Sequence, residues 1–188
     1  MRTIAIQAIS AMVLCAGIGG CSLMHSADIR QSRPLVVSLD VEPGYGNGMF
    51  LDASDGPIDF LVQRKKSSPT AKWAPTFFVS YHSDKSGLGY YLHLSVDPRL
   101  DQMYAETRLV EEETQDVIHK TRLPHPYPLS HEFRARADLS GKRVRFYVDG
   151  QLVGDQELTE VPRFLEFGAS SGKFNVRLDW PETPAAPD

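Results

Sequence analysis

Residues 143–155 are the stretch that most restricts what this chain can fold into, because they have the pattern of two β-strands joined by Asp149-Gly150. A two-residue hairpin turn needs positive φ at both central residues, and Asp-Gly supplies it at little steric cost. In the first strand, valine and phenylalanine alternate with arginine and tyrosine, so one face is apolar. Pairing across the turn is expected to set Phe146 beside Val153. The stretch therefore predicts an antiparallel hairpin with one face in a core.

The same alternation recurs along most of the chain, which predicts further half-buried strands. The clearest of them are residues 35–41, 77–82, 90–97, 133–139 and 173–180. Turn-forming residues occur at 43–48, 55–57, 84–87, 140–142 and 170–172. No long segment has a helical apolar stripe, and only residues 97–104 suggest one short helical turn. Many strands without crossover helices predict an all-β fold, an antiparallel β-sandwich.

The N-terminal segment has the pattern of a targeting sequence. Its apolar run, residues 4–18, is short for a bilayer-spanning helix. The run ends in Gly19-Gly20 followed by Cys21, which resembles the lipobox of bacterial lipoproteins. That resemblance implies a signal peptide at 1–20 and a lipidated, palmitate-bearing Cys21 as the first mature residue. The alternatives are an ordinary signal peptide cleaved near Gly20, or a loose membrane anchor.

The same resemblance bears on location and on cysteine chemistry. In lipoproteins of Gram-negative bacteria an aspartate after the lipidated cysteine is the usual inner-membrane retention signal, so Ser22 implies an outer-membrane position in the cell envelope. Several acyl chains on one cysteine would hold the chain firmly. Cys15, the other cysteine, would leave with the signal peptide, so no disulfide is expected in the mature domain.

The remaining chain divides into a tether, one domain and a tail. Residues 21–33 comprise the lipidated cysteine and a polar tether, and residues 181–188 are a proline-rich tail that cannot join a sheet ladder. Residues 34–180 are long enough for one sandwich with a sizeable core. The net charge of −4 argues against a nucleic-acid partner, because binding phosphates needs a basic surface.

Residues 131–180 carry a resemblance to a known superfamily. They comprise a strand at 133–138, the hairpin containing Tyr147-Val148-Asp149-Gly150, and an apolar strand ending in Gly168. This order resembles the laminin-G and concanavalin A-like lectin/glucanase superfamily, and the expected hairpin at 77–96 fits it too. The resemblance implies a jelly-roll β-sandwich. It leaves the function open, since this fold hosts lectins, adhesive modules, hydrolases and lyases.

Catalytic and metal-binding motifs are weak. Related β-glucan hydrolases carry Glu-x-Asp-x-x-Glu on one strand face, whereas residues 111–113 are consecutive glutamates that would point to opposite faces. His119 has only a faint likeness to a histidine element of alginate lyases. The histidines lack zinc-ligand spacing, and Asp52, Asp55 and Asp59 fit turns better than a calcium site. We therefore expect no catalytic residue, no metal and no cofactor.

Two neighbouring strands carry aromatic and histidine residues on their polar faces: Phe78, His82, Tyr91 and His93. Rings among hydrogen-bonding groups suit a sugar-binding sheet face, because a pyranose stacks on a ring while its hydroxyls need partners. The alternative is that a loop such as residues 124–128 covers the face and the rings serve ordinary packing. An open face shared with a carboxylate or with Arg108 would favour binding or catalysis.

A second candidate is an anion-binding patch of four arginines: Arg134, Arg136, Arg143 and Arg145. If their strands pair, the guanidinium groups share one sheet face and can hold an anionic sugar or a lipid phosphate. The alternative is a solvated surface on which Asp138, Asp155 and Glu157 neutralise the arginines.

These features predict a lipid-anchored envelope protein whose β-sandwich is a non-catalytic recognition module for a glycan or another envelope component. A structural or protein-interaction lipoprotein without a sugar site is the alternative from another class. A diverged polysaccharide lyase or glycoside hydrolase is the least favoured.

Overall fold

The computed structural model describes residues 34–179 except 71, 84–87, 98, 101, 112 and 113. Within the described residues every regular element is a β-strand. In chain order the strands are β1 (Leu35–Asp52), β2 (Gly56–Ser67), β3 (Thr76–His82), β4 (Gly89–Asp97), β5 (Gln102–Glu111), β6 (Thr114–Arg122), β7 (Glu132–Ser140), β8 (Arg143–Val148), β9 (Gln151–Glu157) and β10 (Phe164–Asp179). All their pairings are antiparallel, which confirms the predicted fold class. Cys21, the tether, Trp180 and the tail lie outside the described residues.

Two long strands, β1 and β10, run side by side through both layers of the sandwich. The first half of β10 pairs with β3 and its second half with β2, while β1 pairs with β10 along both halves. The first layer therefore continues from β10 through β3, β4 and β5 to β6. The second layer continues from β10 through β2, β7 and β8 to β9.

The glycine- and serine-rich stretches predicted as turns at 43–48 and 170–172 are instead bends inside β1 and β10. Gly44 and Ser171 have positive φ, 83° and 49°, at these bends. The backbone N–H of Gly44 donates to Ser171 Oγ at 3.0 Å, so the two bends face each other. Residues that tolerate unusual backbone angles thus let both strands pass together from one layer to the other.

The Asp149-Gly150 turn has positive φ at both residues, 47° and 83°, as the sequence predicts. The predicted pairing of Phe146 with Val153 is wrong, since Phe146 pairs with Gly154. A register shift after Phe146 inserts one extra residue into β9 and accounts for the difference.

The connection between β4 and β5 also differs from the prediction. A tight turn at Arg99 and Leu100 takes the place of the expected helical turn, because the two strands stay paired as far as Asp97 and Gln102.

No helix among the described residues is long and apolar enough to cross a membrane.

Buried rings join the two layers. Phe60 of β2 contacts Phe77 of β3 and Phe167 of β10, with centroid separations of 6.0 and 5.4 Å. Phe146 of β8 stacks on Tyr90 of β4 at 5.2 Å. These rings lie among the buried inward residues of the two layers, and the alternate residues form the two outer faces.

Candidate functional site

Strand pairing brings the predicted aromatic and histidine residues together on the outer face of the first layer. The side chains on this surface, which we call the aromatic face, are Glu166 of β10, Phe78 and His82 of β3, Tyr91 and His93 of β4, and Glu106 and Arg108 of β5. Tyr91 lies opposite Arg108, and His93 lies opposite Glu106. The rings therefore share their face with carboxylates and with Arg108, the arrangement expected to favour binding or catalysis.

The four predicted side chains form a continuous chain of ring contacts. Edge-to-face contacts join Phe78 to His93 at 6.1 Å, His93 to Tyr91 at 5.8 Å and Tyr91 to His82 at 4.9 Å between centroids. Phe50 of β1 extends the chain, 5.9 Å from His82. Each of the four predicted side chains is half-buried, so the rings are held in place and remain accessible.

Gly168 of β10 and Gly89 of β4 make room for these rings. A Cβ at Gly168 would lie 2.5 Å from Phe78 Cζ and 2.3 Å from the carbonyl oxygen of Asn47. At Gly89 a Cβ would lie 2.8 Å from Tyr91 Cε2 and 3.1 Å from His82 Nδ1. Three of these four distances are too short for a real Cβ contact, so a larger residue at either position would displace the rings from these places.

His82 is the centre of a hydrogen-bonded group. The Tyr91 hydroxyl lies 3.2 Å from His82 Nδ1, and His82 Nε2 lies 3.0 Å from Glu166 Oε2 and 2.8 Å from Ser80 Oγ. Burial and the negative charge of Glu166 raise the pKa of Tyr91, which keeps its phenol protonated. We infer that Tyr91 donates to Nδ1, which leaves the N–H on Nε2 to donate to Glu166.

The centre of the face has a neutral histidine beside an ion pair whose carboxylate, Glu106, is buried. Burial and the nearby Arg108 guanidinium lower the pKa of His93 to about 4, against a smaller opposing effect of Glu106. His93 is therefore uncharged at neutral pH and offers one donor and one acceptor. Burial disfavours the ionised form of Glu106, but the hydrogen bond from Arg108 Nε at 2.6 Å, with the charges of Arg108 and Lys120, holds the pKa of Glu106 below its usual range.

The loop at 124–128 packs against the second layer rather than over the aromatic face. Its Tyr127 is buried against Phe133, with ring centroids 5.5 Å apart. The Tyr127 hydroxyl donates to Asp149 Oδ2 at 2.7 Å, and Arg64 donates to the Tyr127 carbonyl at 3.0 Å. Asp149 is thus both a turn residue and the acceptor that holds this loop.

The four predicted arginines lie on the outer face of the second layer, which we call the arginine face. Arg136 donates two hydrogen bonds to Asp59, at 2.8 and 2.9 Å. Arg143 donates two to Asp155, both at 2.8 Å, and Arg145 Nε lies 3.7 Å from the same carboxylate. These pairs support the alternative of a charge-balanced surface and weaken the hypothesis of an anion-binding patch.

Three polar residues on this side of the sheet, Glu106, Glu166 and Ser80, escaped prediction. A signal for Glu166 was present, since it alternates with Leu165 and Phe167 and so had to face outward. Its partner His82 is 84 residues away, and nothing local indicates that contact. Among the described residues there is no group of three or more histidine, cysteine, aspartate or glutamate side chains able to hold a metal ion.

Comparisons with known proteins add information on the fold. No family model matches the chain, and no curated protein matches it in sequence. Its structure is similar to a β-glucanase of Bacillus licheniformis (14% identity over 78% of this chain and 76% of that one, TM-score 0.50). It is also similar to the Crh5 transglycosylase in complex with NAG (10% identity, 81% and 77%, TM-score 0.51) and to carbohydrate binding module CBM66 from Bacillus subtilis (16% identity, 82% and 96%, TM-score 0.49).

At such identities the likeness to the glucanase and the transglycosylase shows the fold alone. The domain is a jelly-roll β-sandwich of the concanavalin A-like type, as the resemblance of residues 131–180 implied.

Proposed function

We propose that the jelly-roll domain is a non-catalytic recognition module that binds a glycan on its aromatic face, carried by a lipid-anchored protein of the cell envelope. The observation that carries the proposal is the placement of Phe78, Tyr91 and His93 beside the ion pair of Glu106 and Arg108, on one half-buried sheet face. Sugar binding needs both features, since ring faces accept C–H surfaces and polar groups satisfy hydroxyls.

The polar groups of the face suit an uncharged sugar ring. His93 is neutral at physiological pH because burial lowers its pKa, so the imidazole can donate to one hydroxyl and accept from another. The Arg108 side chain is 31% exposed at the same surface, and Glu106 fixes its position. The held rings lose little rotamer freedom on binding, which favours affinity.

A glycan array tests this function directly. The full chain should bind a defined subset of neutral or charged glycans, and Tyr91→Ala and His93→Ala should each weaken binding about tenfold or more, since each removes ring contact and a polar group. Tyr147→Ala is the matched control, because Tyr147 is also half-buried but lies on the arginine face. Binding to no glycan would instead support a structural or protein-interaction role, and glycan binding that all variants retain equally would refute the aromatic face as the site.

The anchor is tested separately. Metabolic labelling with palmitate should mark the full chain, and Cys21→Ala should abolish the label while Cys15→Ala should leave it. Fractionation of the labelled protein should recover it with the outer membrane in a host that has one. Label that persists in Cys21→Ala would refute lipidation at that cysteine.

Catalysis on the same face is the second candidate function. The observation that favours it is the hydrogen-bonded chain from Tyr91 through His82 to the buried Glu166, because acid–base catalysts need a titratable group oriented by a partner. Incubating the full chain with uronate-containing and neutral polysaccharides would reveal a lyase by ultraviolet absorbance of an unsaturated product and a hydrolase by new reducing ends. Products lost in His82→Asn would establish an enzyme and overturn the non-catalytic proposal.

A further inference from the structure

The aromatic face continues into a pocket that none of the side chains defining that face lines. The pocket has a volume of about 540 Å³ and lies where β4, β5 and β6 end or begin. Its lining residues are Asp97, Arg99, Leu100, Gln102, Tyr104, Lys120 and Arg122. Register connects the two surfaces: Lys120 lies opposite Glu106 of the aromatic face, and Arg122 lies opposite Tyr104 one step further along the same face.

Three cations line this pocket with one carboxylate, and that carboxylate is already engaged. Asp97 Oδ1 accepts the backbone N–H groups of Arg99 and Leu100, at 2.8 and 3.3 Å, which closes the β4–β5 turn. Arg122 Nη2 donates to the neutral amide oxygen of Gln102 at 3.1 Å. Among the described lining residues, positive charges therefore outnumber negative ones.

Contacts with neighbouring side chains hold the ammonium group of Lys120 in place. Its ammonium lies 4.0 Å from the centroid of the Tyr104 ring and 3.4 Å from Glu106 Oε2, while its side chain stays 55% exposed. The cation–π contact holds the charge at the pocket wall, and the exposure leaves N–H donors for a ligand. An ammonium and a guanidinium directed at one space are the groups that bind carboxylates and sulfates.

We propose that this pocket is an acidic-sugar subsite that binds the carboxylate or sulfate of an anionic residue, while the adjoining rings of the aromatic face hold the next part of the same glycan. The proposal rests on the proposed glycan-binding function and specifies its ligand class. Tyr104 of β5 pairs with Ser95, which is four residues after Tyr91 on β4. Four residues span about 13 Å at ~3.3 Å per residue, so only an extended ligand contacts both tyrosines.

The experiment is a glycan array that carries carboxylated, sulfated and neutral oligosaccharides, probed with the full chain and with Lys120→Ala/Arg122→Ala. The wild-type chain is expected to bind carboxylated or sulfated glycans, and the double variant to bind them about tenfold more weakly or worse. Lys65→Ala/Arg177→Ala is the matched control, because it removes one exposed lysine and one exposed arginine from the second layer. It should bind like the wild type. Thermal melting of each variant checks that the fold is retained.

The outcomes separate the two proposals. Binding confined to neutral glycans, or anionic binding that survives the pocket variant, would overturn the acidic-sugar subsite and leave glycan recognition standing. Equal losses in the pocket variant and the control would also overturn it, because they would mean long-range attraction to net charge. Binding to no glycan at all would reject both. Binding of inorganic sulfate that is lost in the pocket variant, with no glycan retained, would mean a simple anion site and would overturn the acidic-sugar subsite.

Discussion

The two outer faces of the sandwich are built by the same alternation of residues, yet they hold their charges differently. On the arginine face, Arg136 and Asp59 form a bidentate pair whose side chains are 41% and 20% exposed. On the aromatic face, Glu166 and Glu106 are only 10% and 8% exposed and are held by His82 and Arg108. Charges are therefore solvated and balanced on one face, and partly desolvated among rings on the other.

This difference in burial supports the choice of the aromatic face as the candidate site. A solvated ion pair adds little free energy and can be placed almost anywhere on a surface, whereas a desolvated carboxylate costs free energy unless its partners are fixed. A jelly roll does not need such groups for its core, which is closed by Phe60, Phe146 and their neighbours. Polar groups held at a cost on an accessible face are typical of functional sites.

The largest expected effect on stability is that of Gly168→Ala, which changes no charged residue and fills the space under Phe78. The new Cβ would lie 2.3 Å from a backbone oxygen and 2.5 Å from the ring, so we expect a loss of about 3 kcal/mol in the free energy of unfolding. Urea denaturation measures it. Gly46→Ala is the control, since the nearest atom to its Cβ is 3.9 Å away. Equal stability of the two variants would mean that Phe78 is not confined.

The second test removes the buried carboxylate. Glu166→Ala deprives His82 of its acceptor and opens a gap beside Ser80, and we expect a loss of about 2 kcal/mol in unfolding free energy. Asp59→Ala removes a carboxylate from the more exposed pair on the arginine face and should cost less than half as much. Comparable losses for the two variants would remove the energetic distinction between the faces.

The sequence predicts the composition of the aromatic face better than its electrostatics. Alternation alone places Tyr91 with His93, and Phe78 with His82, on the polar side of neighbouring strands, because side chains two apart point the same way. It does not reveal the His82–Glu166 or Arg136–Asp59 contacts, which join residues 84 and 77 positions apart. Such contacts follow from the pairing of strands that are distant along the chain. Core packing determines which strands become neighbours.

The bends of β1 and β10 show a related limit. Glycine- and serine-rich stretches indicate where the backbone leaves a regular strand, but not whether the chain reverses there or continues. At residues 43–48 and 170–172 the chain continues in the same strand, because the two bends lie opposite each other and are joined by the Gly44–Ser171 hydrogen bond. The information that decides between turn and bend is therefore shared by two segments more than a hundred residues apart.

The third test uses pH. Because burial lowers the pKa of His93 to about 4 from an ordinary value of 6.5, the unfolded chain takes up the proton first as the pH falls. Stability should therefore decrease between about pH 6.5 and 4, and by about 1–2 kcal/mol at pH 5 relative to pH 7. His93→Gln should lose this contribution, so the stability difference between wild type and variant should change over that window. A pH-independent difference would show that His93 is not desolvated.

The smallest expected effect belongs to the arginine face. A double-mutant cycle of Arg136→Ala and Asp59→Ala should give a coupling free energy of about 0.5–1 kcal/mol, since the pair is bidentate but partly solvated. Molar salt should reduce that coupling towards zero, because solvent screens exposed charges. The same cycle with Glu106→Gln and Arg108→Gln on the aromatic face should give a larger coupling that salt reduces less, since Glu106 is only 8% exposed. Equal salt sensitivity of both cycles would mean that the two faces hold their charges in the same way.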